Sequence, residues 1–470
     1  MAKLSEHNFL LSFYGDDFTG STDVMESLAL NGVRTALFLE VPTQAEVENF
    51  RLKQTWNEPG KRELQAFGVA GISRSLRTSQ MEQELRPIFE KIKKIKTDFF
   101  HYKVCSTFDS SPEIGSIGFA TDLASKYFPS GYIPLIVGAP FLNRFTIFGN
   151  LFARVNGVTY RLDRHPTMSQ HPVTPMNESD LRIHLGRQTD REIKLFDLFS
   201  LQGEYGNPTQ LFKKTKPEDG GIVLFDTLTK EHLITAGQLI VEQRTDDCQL
   251  IIGASSVEHA ISLYLQKTNQ LTKPENPQGP GQTQQVIAVS GSCAPATGQQ
   301  IQHALKMGFE DIKISTTMLV NPQYRVNEEN KIIDQAISAL EKGKSIAIYS
   351  AIGPDDPCIA DTKKQLLQLG LEADSVSQIL GNAQGTILKK IMNKTGKIRT
   401  VVCGGDTSGH VSRALGIYAL ETLMPIAPGA PLCIAHSKNE VFDGLEICLK
   451  GGQNGAENFI ESIRNGKNIE

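Results

Sequence analysis

Two adjacent carboxylates, Asp16 and Asp17, follow the apolar segment Phe9–Tyr14, which the sequence predicts to be a β-strand. Thr19 opens the stretch Thr-Gly-Ser-Thr, whose residues can begin a helix. Adjacent carboxylates at such a place suit removal of a proton from a hydroxyl group, or the holding of a cation or of sugar hydroxyls. Taken alone, this motif is more typical of a turn in which the two aspartates only cap the helix.

A second predicted strand, 66–72, ends in Ser73, Arg74 and Ser75. A guanidinium group can pair with both oxygens of a carboxylate, and the flanking hydroxyls can bond its remaining lone pairs. The pattern indicates a site for a small organic acid, and a surface salt bridge of Arg74 is the alternative.

A third predicted strand, 99–104, carries Lys103, and Ser106 and Asp109 lie in the loop after it. Three consecutive strands therefore end in loops that can bind a ligand, and open α/β sheets bind ligands at the carboxyl ends of their strands. The predicted catalytic residues are Asp17 and Asp16, and the predicted substrate-binding residues are Arg74, Ser73, Ser75, Lys103, Ser106, Asp109 and Thr19.

Three glycine-rich loops follow predicted strands in the C-terminal part of the chain. Glycine lets the backbone approach a bulky anion, and the amides of a following helix N-terminus can bind phosphate. None of the loops is a P-loop or a GxGxxG fingerprint, but together they fit a nucleotide better than a single phosphate. The predicted nucleotide-binding residues are Ser290, Ser292, Thr297, Gly404, Gly405, Asp406, Thr407, Lys450, Gly451 and Gly452.

The elements that must position these loops are short strands alternating with helical stretches, which predicts an α/β fold of two domains. Each domain is expected to be a mostly parallel sheet flanked by helices. Residues 269–284 are polar and rich in Pro and Gly, and they predict a linker or mobile loop between an N-terminal domain, 1–268, and a C-terminal domain, 285–470. Predicted strands of the second domain include 440–442 and 446–450. A helix with Val411, Leu415 and Leu420 on its apolar face, capped by Thr407 and Ser408, is expected after the strand 399–403.

Composition excludes several classes of protein. The net charge of −4 over 470 residues gives no general attraction to nucleic acid or to an anionic membrane. No apolar run reaches the roughly 18 residues of a membrane span. The seven cysteines are scattered, and the polar residues 1–7 do not resemble a signal peptide. We expect a cytoplasmic protein with reduced thiols, no metal site built from side chains and a small-molecule substrate. Whether the chain forms a homodimer stays open.

The order of these motifs resembles the four-carbon acid sugar kinases over essentially the whole chain. The resemblance implies an N-terminal domain that binds a small sugar acid, a C-terminal domain that binds ATP, and an active site in the interdomain cleft. Members act on threonate, erythronate and 3-oxo-tetronate type acids. The motifs that carry the resemblance are Gly15–Gly20, Ser73–Ser75, Ser290–Ser292 with Pro295 and Thr297, Gly404–Gly409, Ala427–Gly429 with Pro431, and Lys450–Gly452.

Two departures from the family pattern indicate a divergent branch. The last loop reads Lys450-Gly451-Gly452-Gln453, where the family commonly has Lys-Ser-Gly followed by a Phe-Gly pair. The third strand ends in Cys105-Ser106-Thr107, where better-known members have Asp-Ser-Thr with an Arg soon after. A branched acid such as an oxo-isoapionate is therefore a candidate substrate.

The resemblance and the motifs together predict phosphoryl transfer from ATP, with Mg²⁺ on its phosphates, to a hydroxyl of the acid. Asp17 or Asp16 would accept the hydroxyl proton, while Arg74, helped by Lys103, would hold the substrate carboxylate. The alternatives are an NAD-dependent dehydrogenase or lyase acting on sugar acids, and a non-catalytic sugar-acid-binding protein. Against the first stands the absence of GxGxxG and of a lone lysine suited to a Schiff base.

Overall fold

The computed structural model describes residues 8–54, 60–155, 157–217, 219–244, 248–274, 279–372 and 375–467. The chain divides into two compact units, Met1–Glu275 and Asn276–Glu470, which we call the N-terminal and C-terminal units. Part of the predicted linker, residues 275–278, lies outside the described residues, as do the polar residues 1–7. The domain limits inferred from the sequence stay a prediction.

The N-terminal unit alternates strands with helices. Its strands are β1 (Phe9–Gly15), β2 (Thr35–Phe38), β3 (Ala66–Ala70), β4 (Thr97–Lys103), β5 (Tyr132–Ile136), β6 (Arg144–Ile147), β7 (Asn150–Val155), β8 (Val158–Arg161), β9 (Ile193–Phe196), β10 (Gly221–Phe225) and β11 (Gln249–Gly253). Its helices are α1 (Phe18–Leu30), α2 (Gln44–Asn49), α3 (Thr78–Ile92), α4 (Ile117–Ala124), α5 (Leu181–Gly186), α6 (Leu198–Gln202), α7 (Pro208–Thr215), α8 (Lys230–Glu242) and α9 (Ser256–Lys267).

Eight of these strands form a parallel sheet in the order β2-β3-β1-β4-β11-β5-β10-β9. β4 and β10 are buried along their whole length, as expected for parallel strands covered by helices on both faces. Aromatic side chains fill much of the core, where Tyr14 stacks on Tyr102 with ring centroids 5.9 Å apart and Phe89 packs edge-on against both. The predicted parallel α/β sheet of this part of the chain is confirmed.

The sequence did not predict a second, antiparallel sheet in this unit, formed by β6, β7 and β8. Its first strand, β6, follows a short turn at Pro140–Leu142. Thr146 at the end of β6 pairs through its backbone with Thr227, which follows β10. The Asp226 carboxylate accepts the backbone N–H groups of Phe148 and Gly149, at 2.6 and 3.0 Å. These contacts attach the small sheet to the main one.

The C-terminal unit repeats the alternation. Its strands are β12 (Ile287–Ser290), β13 (Glu310–Lys313), β14 (Ile346–Tyr349), β15 (Thr400–Cys403), β16 (Ile417–Ala427), β17 (Ala430–Ser437) and β18 (Glu446–Lys450). Its helices are α10 (Pro295–Lys306), α11 (Thr316–Val320), α12 (Arg325–Glu341), α13 (Pro357–Gln368), α14 (Ser375–Thr395), α15 (Gly405–Ala414) and α16 (Phe459–Asn465). The strands follow the order β13-β14-β12-β15-β18-β17-β16.

Parallel pairing links the first five of these strands, whereas β17 pairs antiparallel with both β16 and β18. Two sequence expectations were wrong here. Leu420 belongs to β16, because Gly416 with φ +65° follows the end of α15 and turns the chain into a strand. The predicted strand 440–442 is a turn, since its three residues make no ladder hydrogen bonds within the described sheet.

The helix after β15 also begins earlier than expected. Gly404 is its N-cap residue and Gly405 its first residue, so Thr407 and Ser408 lie inside the first turn and do not cap it. All seven cysteines are free thiols. No helix among the described residues is long and apolar enough to cross a membrane.

Candidate active site

The carboxyl ends of β3, β1 and β4, three neighbouring parallel strands, bring the first set of predicted residues together. From β1 the chain passes through α1 to β2 on one side, and from β4 through α4 to β5 on the other. Such a reversal opens a crevice outside the strand ends, where α/β sheets bind ligands. Register pairs Gly15 with both Ala70 and Lys103, so the loops after these strands start at the same level.

Arg74 lies between the two aspartates and pairs with both. Its Nε and Nη2 donate to Asp16 at 3.1 and 2.6 Å, and its Nη1 and Nη2 donate to Asp17 at 2.8 and 2.8 Å. The guanidinium that the sequence assigns to a substrate carboxylate therefore holds two carboxylates of the protein itself. The backbone N–H of Arg74 also donates to the Asp16 carbonyl at 2.9 Å, which fixes the two loops against each other.

The two aspartates differ in exposure. The Asp16 side chain is only 4% exposed, and burial raises the pKa of its carboxyl although the Arg74 guanidinium acts to lower it. The Asp17 side chain is 31% exposed and caps α1, because its Oδ1 accepts the Gly20 N–H at 2.7 Å. Asp17 is therefore both fixed in position and reachable by a ligand.

Lys103 completes the cluster from the end of β4. Its side chain is 3% exposed and its Nζ lies 3.7 Å from Asp23 Oδ2 on α1. A Cβ atom added at Gly20 would lie 2.5 Å from Asp17 Oδ1, 3.0 Å from Lys103 Nζ and 3.4 Å from Arg74 Nη2. Three charged groups thus converge on the first turn of α1, and only a residue without a side chain leaves room for them.

Replacing Gly20 by Ala should separate these groups, because a Cβ contact below 3.0 Å forces a shift. We expect turnover to fall at least about 10-fold, since a small misplacement of reacting groups is costly. Gly186→Ala is the control, because Gly186 is exposed on α5 and a Cβ added there would meet no heavy atom within 4 Å. Steady-state kinetics with thermal melting checks this, and equal kcat values for the two variants would contradict it.

The remaining predicted residues of this unit have mixed surroundings. Ser73 is fully buried and its Oγ lies 2.9 Å from Tyr102 Oη. The Ser75 hydroxyl donates to the Ile72 carbonyl, and Ser75 is exposed. Thr19 is half-buried in the first turn of α1, and its carbonyl accepts the Thr22 hydroxyl. Ser106 and Asp109 are half-buried in the loop after β4. Of these residues, Ser73 is the one whose side chain is buried in the core and hydrogen-bonded there to Tyr102.

The glycine-rich loops of the C-terminal unit meet at one edge of its sheet. Ser290 pairs with Cys403 across β12 and β15, and Cys403 pairs with Lys450 across β15 and β18. A Cβ at Gly291 would lie 2.3 Å from Thr407 Oγ1, and one at Gly452 would lie 2.5 Å from Ser292 Oγ. The three loops are therefore packed backbone against side chain.

Two helix N-termini open onto this edge, those of α10 and α15. Gly404 has φ +116°, a conformation that favours glycine, and it turns the chain from β15 into α15. Gly405 and Asp406 are exposed in the first turn of α15. Amides at two helix N-termini beside an open glycine turn are an arrangement that can bind an anion such as a nucleotide phosphate.

Lys450 and Thr297 lie beneath this surface. Lys450 is buried and its Nζ donates to Thr297 Oγ1 at 3.1 Å and to the Gly451 carbonyl at 2.9 Å. Thr297 Oγ1 in turn donates to the Gly452 carbonyl at 2.6 Å. In this arrangement both residues hold the loop after β18 against α10, and their polar atoms are engaged within the protein.

Two glutamines that the sequence did not single out as site residues, Gln300 and Gln384, hold the glycine-rich loops by hydrogen bonds to backbone carbonyls. Gln300 Nε2 donates to the carbonyls of Asn454, Gly455 and Ala456, and Gln384 Nε2 donates to the Ser290 carbonyl at 2.8 Å. Gln384 comes from α14, more than ninety positions away in the chain. No local pattern signals such a contact, because it depends on how α14 packs.

Comparison with known protein families assigns a different kind of ligand to each of the two units. The model of a sugar-binding N-terminal domain matches residues 11–261, and that of a nucleotide-binding C-terminal domain matches residues 287–460. The chain therefore belongs to the four-carbon acid sugar kinase family, and the resemblance seen in its motifs is confirmed.

The similarity to individual relatives differs between the branches of this family. A 3-oxo-isoapionate kinase of Paraburkholderia graminis is 39% identical over 97% of this chain and 94% of its own length. The 3-oxo-tetronate kinase of Pectobacterium atrosepticum is 25% identical over 96% of this chain and 97% of its own length. That of Cupriavidus necator is 25% identical over 97% of this chain and 96% of its own length. Crystal structures of a Salmonella typhimurium LT2 protein and a Haemophilus influenzae protein share the fold, with TM-scores of 0.72 and 0.70 at 22% identity. They cover 97% and 96% of this chain, and this chain covers 98% and 99% of theirs.

Proposed function

We propose that this enzyme transfers the γ-phosphoryl group of ATP to a hydroxyl of a small sugar acid, and that the preferred acid is of the 3-oxo-isoapionate type. The observation that carries the proposal is the pairing of two sites in one chain. The N-terminal unit fixes a reachable carboxylate, Asp17, and the C-terminal unit joins three glycine-rich loops into an anion surface. The higher identity to the 3-oxo-isoapionate kinase supports the choice of acid.

Asp17 is the group that we assign to the substrate hydroxyl. A general base must reach the proton that it accepts, and Asp17 is the more exposed of the two aspartates. Asp16 and Arg74 hold it: the guanidinium bonds both carboxylates and so keeps Asp17 from turning away. Lys103, which lies 3.7 Å from Asp23, adds a positive charge beside this cluster.

The nucleotide would lie across Ser290–Ser292, Gly404–Thr407 and Gly451–Gly452. The N–H groups of Gly291 and Gly404 already donate to the carbonyls of Cys403 and Lys450, so the amides at the start of α15, Gly405–Thr407, are the ones that would meet its phosphates. Phosphoryl transfer depends mostly on positioning and on neutralising charge, so such amides supply what the reaction needs. Mg²⁺ usually takes phosphate oxygens with one or two carboxylates. The exposed Asp406 carboxylate, beside the glycines of α15, is of the type that could join them. Among the described residues no group of three His, Cys, Asp or Glu side chains could hold a metal ion by itself.

The rival classes make different demands. A dehydrogenase would need a nicotinamide cofactor, and a binding protein would leave ATP unchanged. An enzyme that consumes ATP is expected in the cytoplasm, and we place this protein there, as a monomer or a homodimer.

The test is incubation of the protein and Mg²⁺-ATP with a panel of acids: 3-oxo-isoapionate, 3-oxo-tetronates, threonate and erythronate. We expect one phosphoryl group added to the acid, by mass, and the highest kcat/KM on 3-oxo-isoapionate. A higher kcat/KM on a 3-oxo-tetronate would overturn the choice of acid but leave the kinase. NAD-dependent turnover with no phosphorylated product would overturn the kinase itself.

A further inference from the structure

Asp109 and Arg144 of the N-terminal unit each carry a buried polar atom without a partner. Asp109 Oδ1 and Arg144 Nε are both sealed from solvent, and neither forms a hydrogen bond within the part of the chain that the structure describes. Buried carboxylate oxygens and guanidinium N–H groups are nearly always paired, because leaving them unpaired forfeits their hydration. An unpaired acceptor and an unpaired donor in neighbouring loops therefore indicate a ligand that pairs with both.

The backbone before each of these residues is unusual in the same way. Phe108 and Asn143 both have φ +57°, the left-handed region that side chains other than glycine rarely adopt. Asn tolerates it, but for a bulky Phe it is strained. Phe108 is fully buried, its ring packs edge-on against His184 at 5.8 Å, and its carbonyl accepts the Ser110 hydroxyl at 3.0 Å. Such anchoring holds the backbone of Phe108 in a conformation that the chain would not otherwise favour, and it thereby fixes the position of Asp109, the next residue.

Both residues belong to the edge of the sheet that carries Asp17. The Asp109 loop follows β4, and Arg144 begins β6 after the loop from β5, with only β11 between β4 and β5. Burial lowers the pKa of Arg144, while Cys105 and Asp109 act to raise it. Burial raises the pKa of the Cys105 thiol to about 11, with Asp109 acting in the same direction and Arg74 in the opposite one. Cys105 therefore interacts electrostatically with both Arg74 and Arg144. This places Asp109 and Arg144 near the cluster of Arg74 with its two aspartates.

Arg74 and Arg144 differ in which of their N–H donors are already hydrogen-bonded. Arg74 donates four hydrogen bonds to the carboxylates of Asp16 and Asp17. Within the described residues the Arg144 guanidinium donates through Nη1, to the carbonyls of Leu142 and Asn143 at 3.0 and 3.2 Å. The Nε and Nη2 side of a guanidinium is a fork that matches the two oxygens of a carboxylate. In Arg144 that side is the one without partners among the described residues.

We propose that Arg144 binds the carboxylate of the sugar acid and that Asp109 accepts a hydrogen bond from one of its hydroxyls. This inference rests on the proposed function and deepens it, because it moves acid recognition from Arg74 to Arg144. Arg74 then acts as the positioning residue of Asp17. The assignment also gives a source of acid specificity in a chain whose loop after β4 lacks the arginine of better-known family members.

The test compares Arg144→Lys and Asp109→Ala with a matched control, Arg154→Lys; Ala is used at 109 because Asn could still accept the hydrogen bond. Arg154 lies on β7 of the same small sheet and is exposed. Its Nε donates to the Gly157 carbonyl and its backbone N–H to the Asn143 carbonyl. Lys keeps the charge of Arg144 but loses the fork. We expect the KM for 3-oxo-isoapionate to rise about 10- to 100-fold in both site variants, with kcat and the KM for ATP within about twofold of wild type. The control should match wild type.

The outcomes separate the two proposals. If wild type phosphorylates the acid and both site variants keep its KM, the assignment of Arg144 and Asp109 is overturned and the kinase stands. If wild type phosphorylates no acid, calorimetric titration with 3-oxo-isoapionate decides. Weaker binding of the acid by Arg144→Lys than by wild type supports the subsite. Equal binding by the two proteins, or no binding by wild type, overturns it. Thermal melting identifies a variant that fails to fold, and the other variant then carries the test.

Discussion

Asn in place of Asp17 is expected to abolish turnover while ATP and the sugar acid still bind. Loss of a general base costs about 10²- to 10⁴-fold in rate, and Asn cannot accept the hydroxyl proton. The fold should survive, because Asn is as good an N-cap residue as Asp and can still accept the Gly20 N–H. Arg74 keeps both oxygens of Asp16.

The measurement is kcat from ATP consumption, with Kd values for ATP and acid from calorimetry. Asp122→Asn is the matched control: Asp122 also pairs with an arginine, through Arg191 Nε at 2.6 Å, but it lies on α4 away from the strand ends. Wild-type turnover by Asp17→Asn would remove Asp17 as the base. If Asp16→Asn then lost turnover with its melting temperature unchanged, the role would pass to Asp16.

Gly291→Ala should break the nucleotide surface of the C-terminal unit. The new Cβ would lie 2.3 Å from Thr407 Oγ1 and 3.0 Å from Gln384 Oε1, and Thr407 is buried, so the loop or α15 must move. Such overpacking costs about 1–3 kcal/mol. If the cost falls on the binding-competent arrangement, the Kd for ATP rises roughly 5- to 150-fold, whereas acid binding is unchanged.

A second variant tests whether phosphate approaches the glycines themselves. Gly405 has no heavy atom within 4 Å of an added Cβ, and Ala in the first turn of a helix is favourable. We expect Gly405→Ala to keep or raise the melting temperature and yet weaken ATP binding, because its methyl group occupies the space of the anion. Gly353→Ala, in the loop after β14 with equally open surroundings, is the control. Unchanged ATP affinity in both Gly291→Ala and Gly405→Ala would contradict the nucleotide surface.

The sequence predicted the strand ends well, because their signals are local. Apolar runs such as Phe9–Gly15 and Thr400–Cys403 stop where polar and glycine residues begin, and a buried parallel strand needs that pattern. Asp17 as a cap of α1 follows from the same kind of signal. The alternation of such units was enough to predict two α/β sheets.

What the sequence missed depends on contacts between distant residues. Arg74 could be recognised as a carboxylate ligand, but its choice of Asp16 and Asp17 depends on how β1 and β3 pair. The small sheet was missed because β6 and β8 are four residues each, too short for a periodic pattern. The apolar run Ile417–Ala427 fits a helix or a buried strand, and pairing with β17 decides between them.

The most direct test of the account follows the phosphoryl group itself. Wild-type protein, Mg²⁺ and ATP labelled in its γ-phosphate are mixed with 3-oxo-isoapionate, and the label is located by mass spectrometry. The account predicts one labelled phosphoryl group on a hydroxyl of the acid, at a rate that Asp17→Asn reduces at least about 100-fold. Label found only in inorganic phosphate, or left in ATP while the acid is converted by another reaction, would contradict it.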